Sequence, residues 1–404
     1  MADLIVFSHL RWNFVYQRPQ HLMTRLARHY RVTFIEEPIF HESDRFLEIQ
    51  EIAPNIRVAR PHTSIHAPGF HDDQLPDIEE LVESYLLEEG IEDYIAWLYT
   101  PMALPLLRRL EPSAIIYDCM DELAAFKNAP RQLLQRESAL LKMADLVFTG
   151  GPSLYRGKRD RHPAVYCFPS SVDSAHFGRA LTLDTEHPVQ QNLPRPRLGF
   201  YGVIDERFDL DLLSAVASAR PEWQLVMVGP VVKIDNNNLP RHDNIHYPGQ
   251  RSYEELPQFL AGWDVCLLPF ALNEATRFIS PTKTLEYMAA ELPIVSTPIT
   301  DVAEPYGHIV HIAHEPAAFI AACERALAET EERAAERKEK MRAVLANTSW
   351  DNTAVEMCML IERARARSRA VERALLRPSP AFIASKRSTE QTPVPQRKLR
   401  LRTA

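Results

Sequence analysis

The chain has 404 residues, of which 46% are hydrophobic and 25% are charged. This length is sufficient for two domains with separate cores, and the composition is that of a globular protein. The formal net charge of −8 gives no indication of nucleic-acid binding. The cysteines have no paired or metal-like spacing, which fits a reduced setting. Because no apolar run reaches membrane-spanning length and no secretory signal opens the chain, we expect a cytoplasmic protein.

Strand-like apolar runs alternate with helix-like runs along the whole chain. The predicted strands are residues 4–8, 32–36, 95–99, 114–118, 146–149 and 165–168, then 198–202, 225–229, 244–247, 265–268, 294–297 and 308–312. Continuous apolar runs separated by amphipathic helices are typical of parallel sheets that are buried on both faces. The pattern therefore predicts an α/β fold.

A polar, proline-rich segment over residues 182–196 lacks periodicity and predicts a domain boundary. We expect an N-terminal domain over 1–185, a C-terminal domain over 195–349 and one or two helices over 350–376. The tail, 377–404, is basic and poor in apolar residues, which predicts disorder. Its charge also leaves open a contact with anionic lipid headgroups.

The most informative stretch runs from residue 280 to residue 298. Ser280 is a good helix N-cap and Pro281 suits the first helical position. Thr282 and Lys283 then place free backbone amides and a cation at the positive end of the helix, which favours phosphate. Glu286 follows on the same face, where a carboxylate can accept both hydroxyls of a ribose. The alternative is an ordinary capped helix with a surface ion pair.

The stretch resembles the donor-site signature of glycosyltransferases with two Rossmann-like domains, particularly the large retaining family 4. The likeness extends over most of the chain. Its pieces are residues 117–122, 144–149, 168–173, 198–203, 223–230, 244–249 and 263–269. The order and spacing of these pieces are specific for the superfamily and not for a substrate.

The resemblance implies two Rossmann-like domains that face each other across a cleft (GT-B type), with a C-terminal helix that crosses back to the N-terminal domain. It also implies transfer of a sugar from a nucleotide diphosphate sugar to a sugar or lipid-linked acceptor, without nucleic acid. No metal cofactor is expected, because protein cations and helix ends usually neutralise the diphosphate in such enzymes. The usual setting is polysaccharide synthesis in the cytoplasm, with the enzyme also peripheral at the inner face of the membrane.

Ligands bind at the carboxyl ends of parallel strands, so the loops there hold the candidate residues. The loop after the first predicted strand is rich in His, Arg, Trp and Gln. Its candidates for acceptor contacts are His9, Arg11, Trp12 and Arg18. The alternative is that Trp12 and Phe14 pack under the loop while the arginines face solvent.

Two carboxylates, Asp118 and Asp121, end the fourth predicted strand. The resemblance places an Asp or His here near the reacting sugar, and we assign that role to Asp121 while Asp118 caps the turn. The alternative for Asp121 is a helix N-cap. In a retaining reaction Asp121 would stabilise the transferred sugar, whereas in an inverting one Asp121 or His9 would be the base.

The second domain supplies the expected donor contacts. Gly202 permits close backbone approach at a strand end, and Arg207 can join Lys283 in meeting the donor phosphates. Pro230 ends the strand where the family packs the nucleotide base. Arg251 can reach the base or a phosphate, or it can be a solvent-facing loop residue.

One position departs from the family pattern of two glutamates separated by seven residues. Counting back from Glu286, the first position holds Phe278. Thr276 and Arg277 are candidates for the missing contacts with the transferred sugar. The departure leaves the sugar and the stereochemical outcome open. It also keeps two alternatives, a nucleotide-sugar 2-epimerase and a catalytically degenerate transferase that acts as a complex partner.

Overall fold

The computed structural model describes residues 1–376, with side chains described for residues 1–368. The strands are β1 (Ala2–Ser8), β2 (Tyr30–Glu36), β3 (Ile39–Phe40), β4 (Phe46–Ala53), β5 (Ile56–Thr63), β6 (Tyr94–Leu98), β7 (Ala114–Cys119), β8 (Leu146–Thr149), β9 (Val165–Cys167), β10 (Arg197–Tyr201), β11 (Gln224–Val228), β12 (Ile245–Gly249), β13 (Val265–Leu268), β14 (Ile294–Ser296) and β15 (His311–Ile312). The helices are α1 (Arg18–Leu26), α2 (Leu75–Glu88), α3 (Gln132–Met143), α4 (Pro152–Lys158), α5 (Ser174–Gly178), α6 (Leu210–Ala219), α7 (Leu256–Ala261), α8 (Lys283–Ala289), α9 (Thr300–Tyr306), α10 (Pro316–Leu327), α11 (Glu331–Leu345) and α12 (Trp350–Leu376).

The first sheet contains β1 to β9 in the order β3-β5-β2-β1-β6-β7-β8-β9, with β4 paired to β5. All of its pairs are parallel except the antiparallel β4–β5 pair. Alternate residues of β1 enter different cores, since Leu4 and Val6 pack with α1 while Ile5 and Phe7 pack with α2 and α3. Burial on both faces explains why these strands are continuous apolar runs.

The second sheet has the order β12-β11-β10-β13-β14-β15 and is parallel throughout. Its strands and helices share one continuous core, in which Leu198, Leu225 and Val265 are fully buried. Because all strands point the same way, their carboxyl ends form one edge that can hold a ligand. The two-domain α/β fold expected from the resemblance is thus confirmed.

The long helix α12 returns to the first sheet. Trp350, Met357 and Ile361 are buried among residues of β1, β7 and α1. Ion pairs hold both parts of the helix, Arg25 to Asp351 at 3.0 Å and Arg365 to Asp93 at 2.8 Å. The predicted crossing helix is therefore confirmed, and residues far apart in sequence complete the first core.

The apolar pattern located twelve strands with shifts of a few residues at their ends, but it missed β3, β4 and β5. In β5, arginines, a proline and a histidine interrupt the apolar residues, and β4 is an edge strand with several exposed side chains. Such strands lack the continuous apolar run of a central parallel strand. The predicted disordered tail, 377–404, lies outside the described residues. Within residues 1–376, no helix is long and apolar enough to cross a membrane.

Candidate active site

One cavity is lined by both domains, at the carboxyl ends of their strands. The first domain contributes residues of the loop before α1 and of the segment after β7, including Tyr16, Arg18, Met120 and Asp121. The second domain contributes Tyr201, Gly202, Arg207, Gly229, Pro230, Arg251, Tyr253, Ser280, Pro281, Thr282, Lys283 and Glu286. This is the position where open parallel sheets bind ligands.

Two glycines and Lys283 pack closely together in the cavity wall. Gly202 has φ +138° and Gly229 has φ +143°, a region that L side chains rarely adopt. A Cβ on Gly202 would overlap Lys283 Cε, and a Cβ on Gly229 would overlap the Gly202 carbonyl oxygen. Burial lowers the pKa of Lys283, and the neighbouring Glu286 carboxylate opposes that shift. Gly202 therefore leaves room for the Lys283 side chain, and Gly229 lets the ends of β10 and β11 approach closely.

Glu286 lies on the cavity wall with 8% of its surface exposed. The hydroxyl of Tyr201, at the end of β10, donates a 2.7 Å hydrogen bond to Glu286 Oε2. Burial raises the pKa of Glu286, while Lys283 and Tyr201 act in the opposite direction. Glu286 is thus a buried carboxylate at the cavity, and Lys283 lines the same cavity. The two do not form the surface ion pair of the alternative reading.

The residues before α8 line the cavity, but the helix begins later than predicted. Its first residue is Lys283, and Thr282 occupies the N-cap position without a side-chain cap. The prediction that Ser280 caps the helix and Pro281 opens it is therefore wrong. The Pro281 and Thr282 carbonyl oxygens instead accept hydrogen bonds from the backbone N–H groups of Thr284 and Leu285, at 3.1 and 3.0 Å.

Arg207 faces the cavity with part of its charge already compensated. Its Nε and Nη2 bind Asp205 at 3.0 and 2.8 Å, and its guanidinium lies 5.2 Å from the Phe126 ring centre. Burial lowers the pKa of Arg207, but the hydrogen-bonded Asp205 outweighs burial and raises it overall. Nη1 makes no hydrogen bond to another residue of the described chain, so it remains available to a ligand.

Asp121 faces these cations from the first domain. Burial raises the pKa of its carboxyl group, and Arg207 and Lys233 oppose the shift. Asp121 caps no helix, because the short 3-10 turn Leu123–Ala125 has Glu122 at its N-cap position. The alternative reading of Asp121 as a helix cap is therefore wrong.

Asp118 does not cap the turn as predicted, because it forms a fully buried ion pair with Arg18. Arg18 Nε and Nη2 bind the two Asp118 oxygens at 3.1 and 2.8 Å, and Nη1 binds the Phe168 carbonyl oxygen at 2.7 Å. Arg18 lines the cavity, but each of its nitrogens is already engaged. The pair is therefore a rigid wall of the site rather than a free cation for an acceptor.

Two of the remaining acceptor candidates, Trp12 and Arg11, make contacts within the first domain. Trp12 is 8% exposed and packs edge-to-face on Phe34 with ring centres 5.1 Å apart, which favours the reading that it packs under the loop. Arg11 binds Glu36 at 3.3 Å and the Pro38 carbonyl oxygen at 3.1 Å, so it fixes the loop. Neither side chain lies in the cavity.

His9 is partly exposed, but its Nδ1 atom is buried and has no hydrogen-bond partner within the described residues. Burial, together with the charge of Lys233, lowers its pKa to about 4, so the imidazole is neutral at pH 7. His9 is thus able to accept a proton, but it does not line the cavity that holds Asp121 and Glu286.

The candidates for the transferred sugar in the second domain do not reach the cavity. Thr276 is 2% exposed, and its Oγ1 donates to the carbonyl oxygen of Ala271 at 2.6 Å, which stabilises the turn. The Arg277 side chain is 66% exposed. Phe278 packs against the core of the first domain. The proposed substitutes for the missing glutamate are therefore wrong.

Arg251 and Pro230 both line the cavity. Arg251 Nη2 donates a 2.9 Å hydrogen bond to the Pro248 carbonyl oxygen, and its buried Nε has no partner among the described residues. This geometry contradicts the reading of Arg251 as a solvent-facing loop residue. Within the described chain, no group of three His, Cys, Asp or Glu side chains is arranged to hold a metal ion.

Sequence reasoning missed Tyr201, Tyr253 and Phe126. Tyr201 directly precedes Gly202 at the end of a strand, so the strand-end rule was sufficient to find it. Tyr253 lines the cavity from a short 3-10 turn, and its buried hydroxyl has no partner among the described residues. No sequence signal marks Phe126, because its contact with Arg207 exists only when the two domains meet.

Residues 195–329 match the family model described as glycosyl transferases group 1. A curated relative from Bacillus subtilis (strain 168), TuaH, is named as a teichuronic acid biosynthesis glycosyltransferase. It is 24% identical over 277 residues, which are 63% of this chain and 68% of the relative.

Solved structures share the fold over nearly the whole chain. Sucrose-phosphate synthase from Thermosynechococcus elongatus is 17% identical with a TM-score of 0.69, and the alignment covers 91% of this chain and 100% of that chain. An E. coli trehalose-6-phosphate structure with bound UDP-2-fluoro glucose is 14% identical with a TM-score of 0.65, covering 90% and 99%. These matches, with the cavity between the two domains, identify the chain as a glycosyltransferase with the GT-B fold.

Proposed function

We propose that the protein transfers a sugar from a nucleotide diphosphate sugar to an acceptor hydroxyl with retention of configuration, in the assembly of a polysaccharide or glycoconjugate. The observation that carries this proposal is the interdomain cavity with Lys283 and Glu286 on one wall and Asp121 on the other. A donor would be held by the second domain and the reacting sugar would meet the first.

The donor half of the cavity suits a nucleotide diphosphate. Glu286 is a buried carboxylate that can accept two hydroxyls of a ribose. Lys283 and the free Nη1 of Arg207 supply positive charge for the diphosphate, and the bare backbone at Gly202 and Gly229 lets phosphate oxygens approach closely. Because these groups provide the neutralising charge, we expect transfer without a metal ion, which activity in excess EDTA would test.

In the proposed reaction the bond between the sugar and the diphosphate breaks, and its electron pair moves to the diphosphate. The acceptor oxygen forms the new bond on the same face, and its proton passes to an oxygen of the departing phosphate. Lys283 and Arg207 stabilise the growing phosphate charge. Asp121 stabilises the positive charge on the sugar and orients the acceptor.

The direct test is a panel of nucleotide sugars, screened by thermal shift because a ligand of the native state raises the melting temperature. A stabilising donor is then incubated with candidate acceptors, and the anomeric configuration of the product is read by NMR. An inverted product would refute retention and favour Asp121 or His9 as the base. A free altered nucleotide sugar without acceptor would instead indicate a 2-epimerase, and binding without turnover would indicate a degenerate transferase.

The polysaccharide role is supported by the name of the Bacillus subtilis relative. A lipid-linked acceptor would bring the enzyme to the membrane, where the basic tail, 377–404, can contact anionic headgroups by charge. We expect deletion of the tail to reduce co-sedimentation with anionic vesicles at low salt while donor binding is retained. Equal sedimentation of both forms would contradict the membrane role.

A further inference from the structure

A second contact between the domains lies beside the donor half of the cavity. Asp301 of α9 is 4% exposed, and its carboxylate accepts hydrogen bonds from Ser153 N of α4 at 3.1 and 3.3 Å and also from Ser153 Oγ. Arg156 and Glu304 add an exposed ion pair at 2.9 Å on the rim. We call this set of residues the α4–α9 contact.

The backbone of Gly151 forms the centre of the α4–α9 contact. A Cβ at this position would overlap Asp301 Oδ2 and would lie 2.7 Å from Ser280 Cβ. Ser280 belongs to a segment, residues 279–283, that lines the cavity. We call residues 278–283 the donor segment. The segment that follows β8 in the first domain therefore contacts the donor segment of the second domain directly.

Phe278 strengthens the same contact. It packs against the core of the first domain, and a Cβ on Gly157 of α4 would lie 3.7 Å from its ring. The position that holds a glutamate in the resembled family is thus used here to attach the donor segment to α4. The first domain therefore contacts the donor segment at both Phe278 and Ser280.

The α4–α9 contact is also connected to Asp121. Gly150 N donates a 2.9 Å hydrogen bond to the Cys119 carbonyl oxygen, and a Cβ on Gly150 would lie 2.9 Å from Met120 Cα. The segment that touches Ser280 therefore adjoins the segment that carries Asp121. Fixing one of these segments against the second domain fixes the other.

We propose that Ser153 and Asp301 are positioning residues, which hold the domains in the arrangement that places Asp121 opposite Lys283. This inference rests on the proposed transfer function. Donor contacts lie within the second domain, so opening of the α4–α9 contact leaves nucleotide binding intact while Asp121 moves away from the reacting sugar. The expected signature is a loss of turnover without a loss of nucleotide affinity.

The sharpest test is Gly151→Ala. Gly151 has φ −174°, an extended backbone that any residue adopts, so the added methyl group acts only by pushing against Asp301 and Ser280. Gly157→Ala is the matched control, since it adds a methyl group to the same helix at ordinary van der Waals distance from Phe278. Ser153→Ala is the second variant, which removes the Oγ donor without adding volume.

Three measurements are made on each full-length variant: kcat for transfer, Kd for UDP, GDP and ADP by calorimetry, and the radius of gyration by small-angle scattering. We expect Gly151→Ala to lower kcat by roughly 10²-fold, the scale of a small misplacement of reacting groups. Its radius of gyration should rise. In Ser153→Ala, which adds no atom against Ser280, Kd should stay at the wild-type value. Ser153→Ala should lose less kcat in the same direction, and Gly157→Ala should match the wild type.

Wild-type kcat in both Gly151→Ala and Ser153→Ala would overturn the positioning role, and so would equal losses of kcat and nucleotide affinity in Ser153→Ala. If the wild type binds none of the three nucleotides and transfers no sugar, the proposed function fails instead. The scattering measurement separates the two, because it reports the α4–α9 contact whether or not a donor is known.

Discussion

Tyr201 and Glu286 are joined by a buried hydrogen bond of 2.7 Å from the phenol to the carboxylate, at the point where β10 ends and the cavity begins. The bond uses one carboxylate oxygen and leaves the other, Oε1, turned to no partner among the described residues. The orientation of Glu286 is therefore fixed before any nucleotide arrives, which reduces the ordering that binding requires.

Glu286→Ala should weaken binding of the donor and of the free nucleoside diphosphate to a similar extent. A buried ribose would lose a charged acceptor worth about 1.5–3 kcal/mol, or roughly 10- to 150-fold in Kd. Tyr201→Phe is the matched variant, since it keeps the carboxylate and frees only its orientation, and a smaller loss is expected. Calorimetry that shows unchanged affinity in Glu286→Ala would remove the ribose assignment.

Lys283→Ala should reduce turnover more than it reduces binding. The ammonium group lies beside Gly202. It would meet the charge that grows on the departing diphosphate, so its interaction is stronger in the transition state than in the bound donor. Steady-state kinetics should show a lower kcat with a modest change in KM. A higher KM with unchanged kcat would assign Lys283 to binding alone.

Asp121→Asn should abolish most transfer while donor affinity is retained. Asparagine keeps the shape but not the charge that faces the transferred sugar, and the expected loss is about 10²–10⁴ in rate. Transfer and donor titration are measured on the same preparation. Turnover near the wild-type level would move the catalytic assignment to His9.

The pH dependence of stability follows from the raised pKa values of Asp121 and Glu286, which have burial as their first cause. A carboxyl group whose pKa is higher in the folded state holds its proton more tightly there, so its stabilisation is complete below the unfolded pKa. That stabilisation is lost as the pH rises through the folded pKa. Transfer, by contrast, needs Asp121 ionised.

We therefore expect the rate of transfer to fall as the pH is lowered. The fall should occur at a higher pH than it would if Asp121 had the pKa of an exposed aspartate. Asp121→Asn should raise the melting temperature relative to the wild type at pH 7, and the difference should shrink as the pH falls. Melting curves across the acid range, at constant salt, measure both effects. A variant that is less stable than the wild type at pH 7 would contradict the raised pKa of Asp121.

Arg18→Ala should destabilise the protein by about 3–5 kcal/mol, because it leaves the Asp118 carboxylate buried without its partner. The double replacement Arg18→Met with Asp118→Asn should recover part of that loss, since neither an uncompensated charge nor a large void remains. Urea unfolding followed by tryptophan fluorescence measures both. A loss near zero in the single variant would contradict the buried pair.

The strands could be predicted from the sequence where burial on both faces requires a continuous apolar run. Central parallel strands such as β1 and β13 are buried on both faces, so they read as continuous apolar runs. The edge strand β4 is half exposed and carries no such signal. Lys283 and Glu286 were accessible for a related reason, because a helix places them on one side at fixed spacing.

The roles of loop residues were harder to predict, because their environment depends on distant parts of the chain. The sequence leaves Trp12 open between a sugar contact and packing under the loop, and its contact with Phe34 of β2 favours the second. In the sequence Phe278 is only a departure from the donor-site pattern, whereas in the structure it packs against the core of the first domain. In both cases the deciding neighbour lies outside the local sequence, and residue type alone does not distinguish the two roles.

Trp350, Met357 and Ile361 complete a core whose other buried members lie between residues 4 and 168. The first domain is therefore built from two separate segments of the sequence. A fragment that stops after β9 would present an open apolar surface to water. Supplying residues 350–376 as a separate peptide should allow the two pieces to reassemble. Any exchange of donor domains between relatives must therefore splice at two junctions, one on each side of the inserted domain.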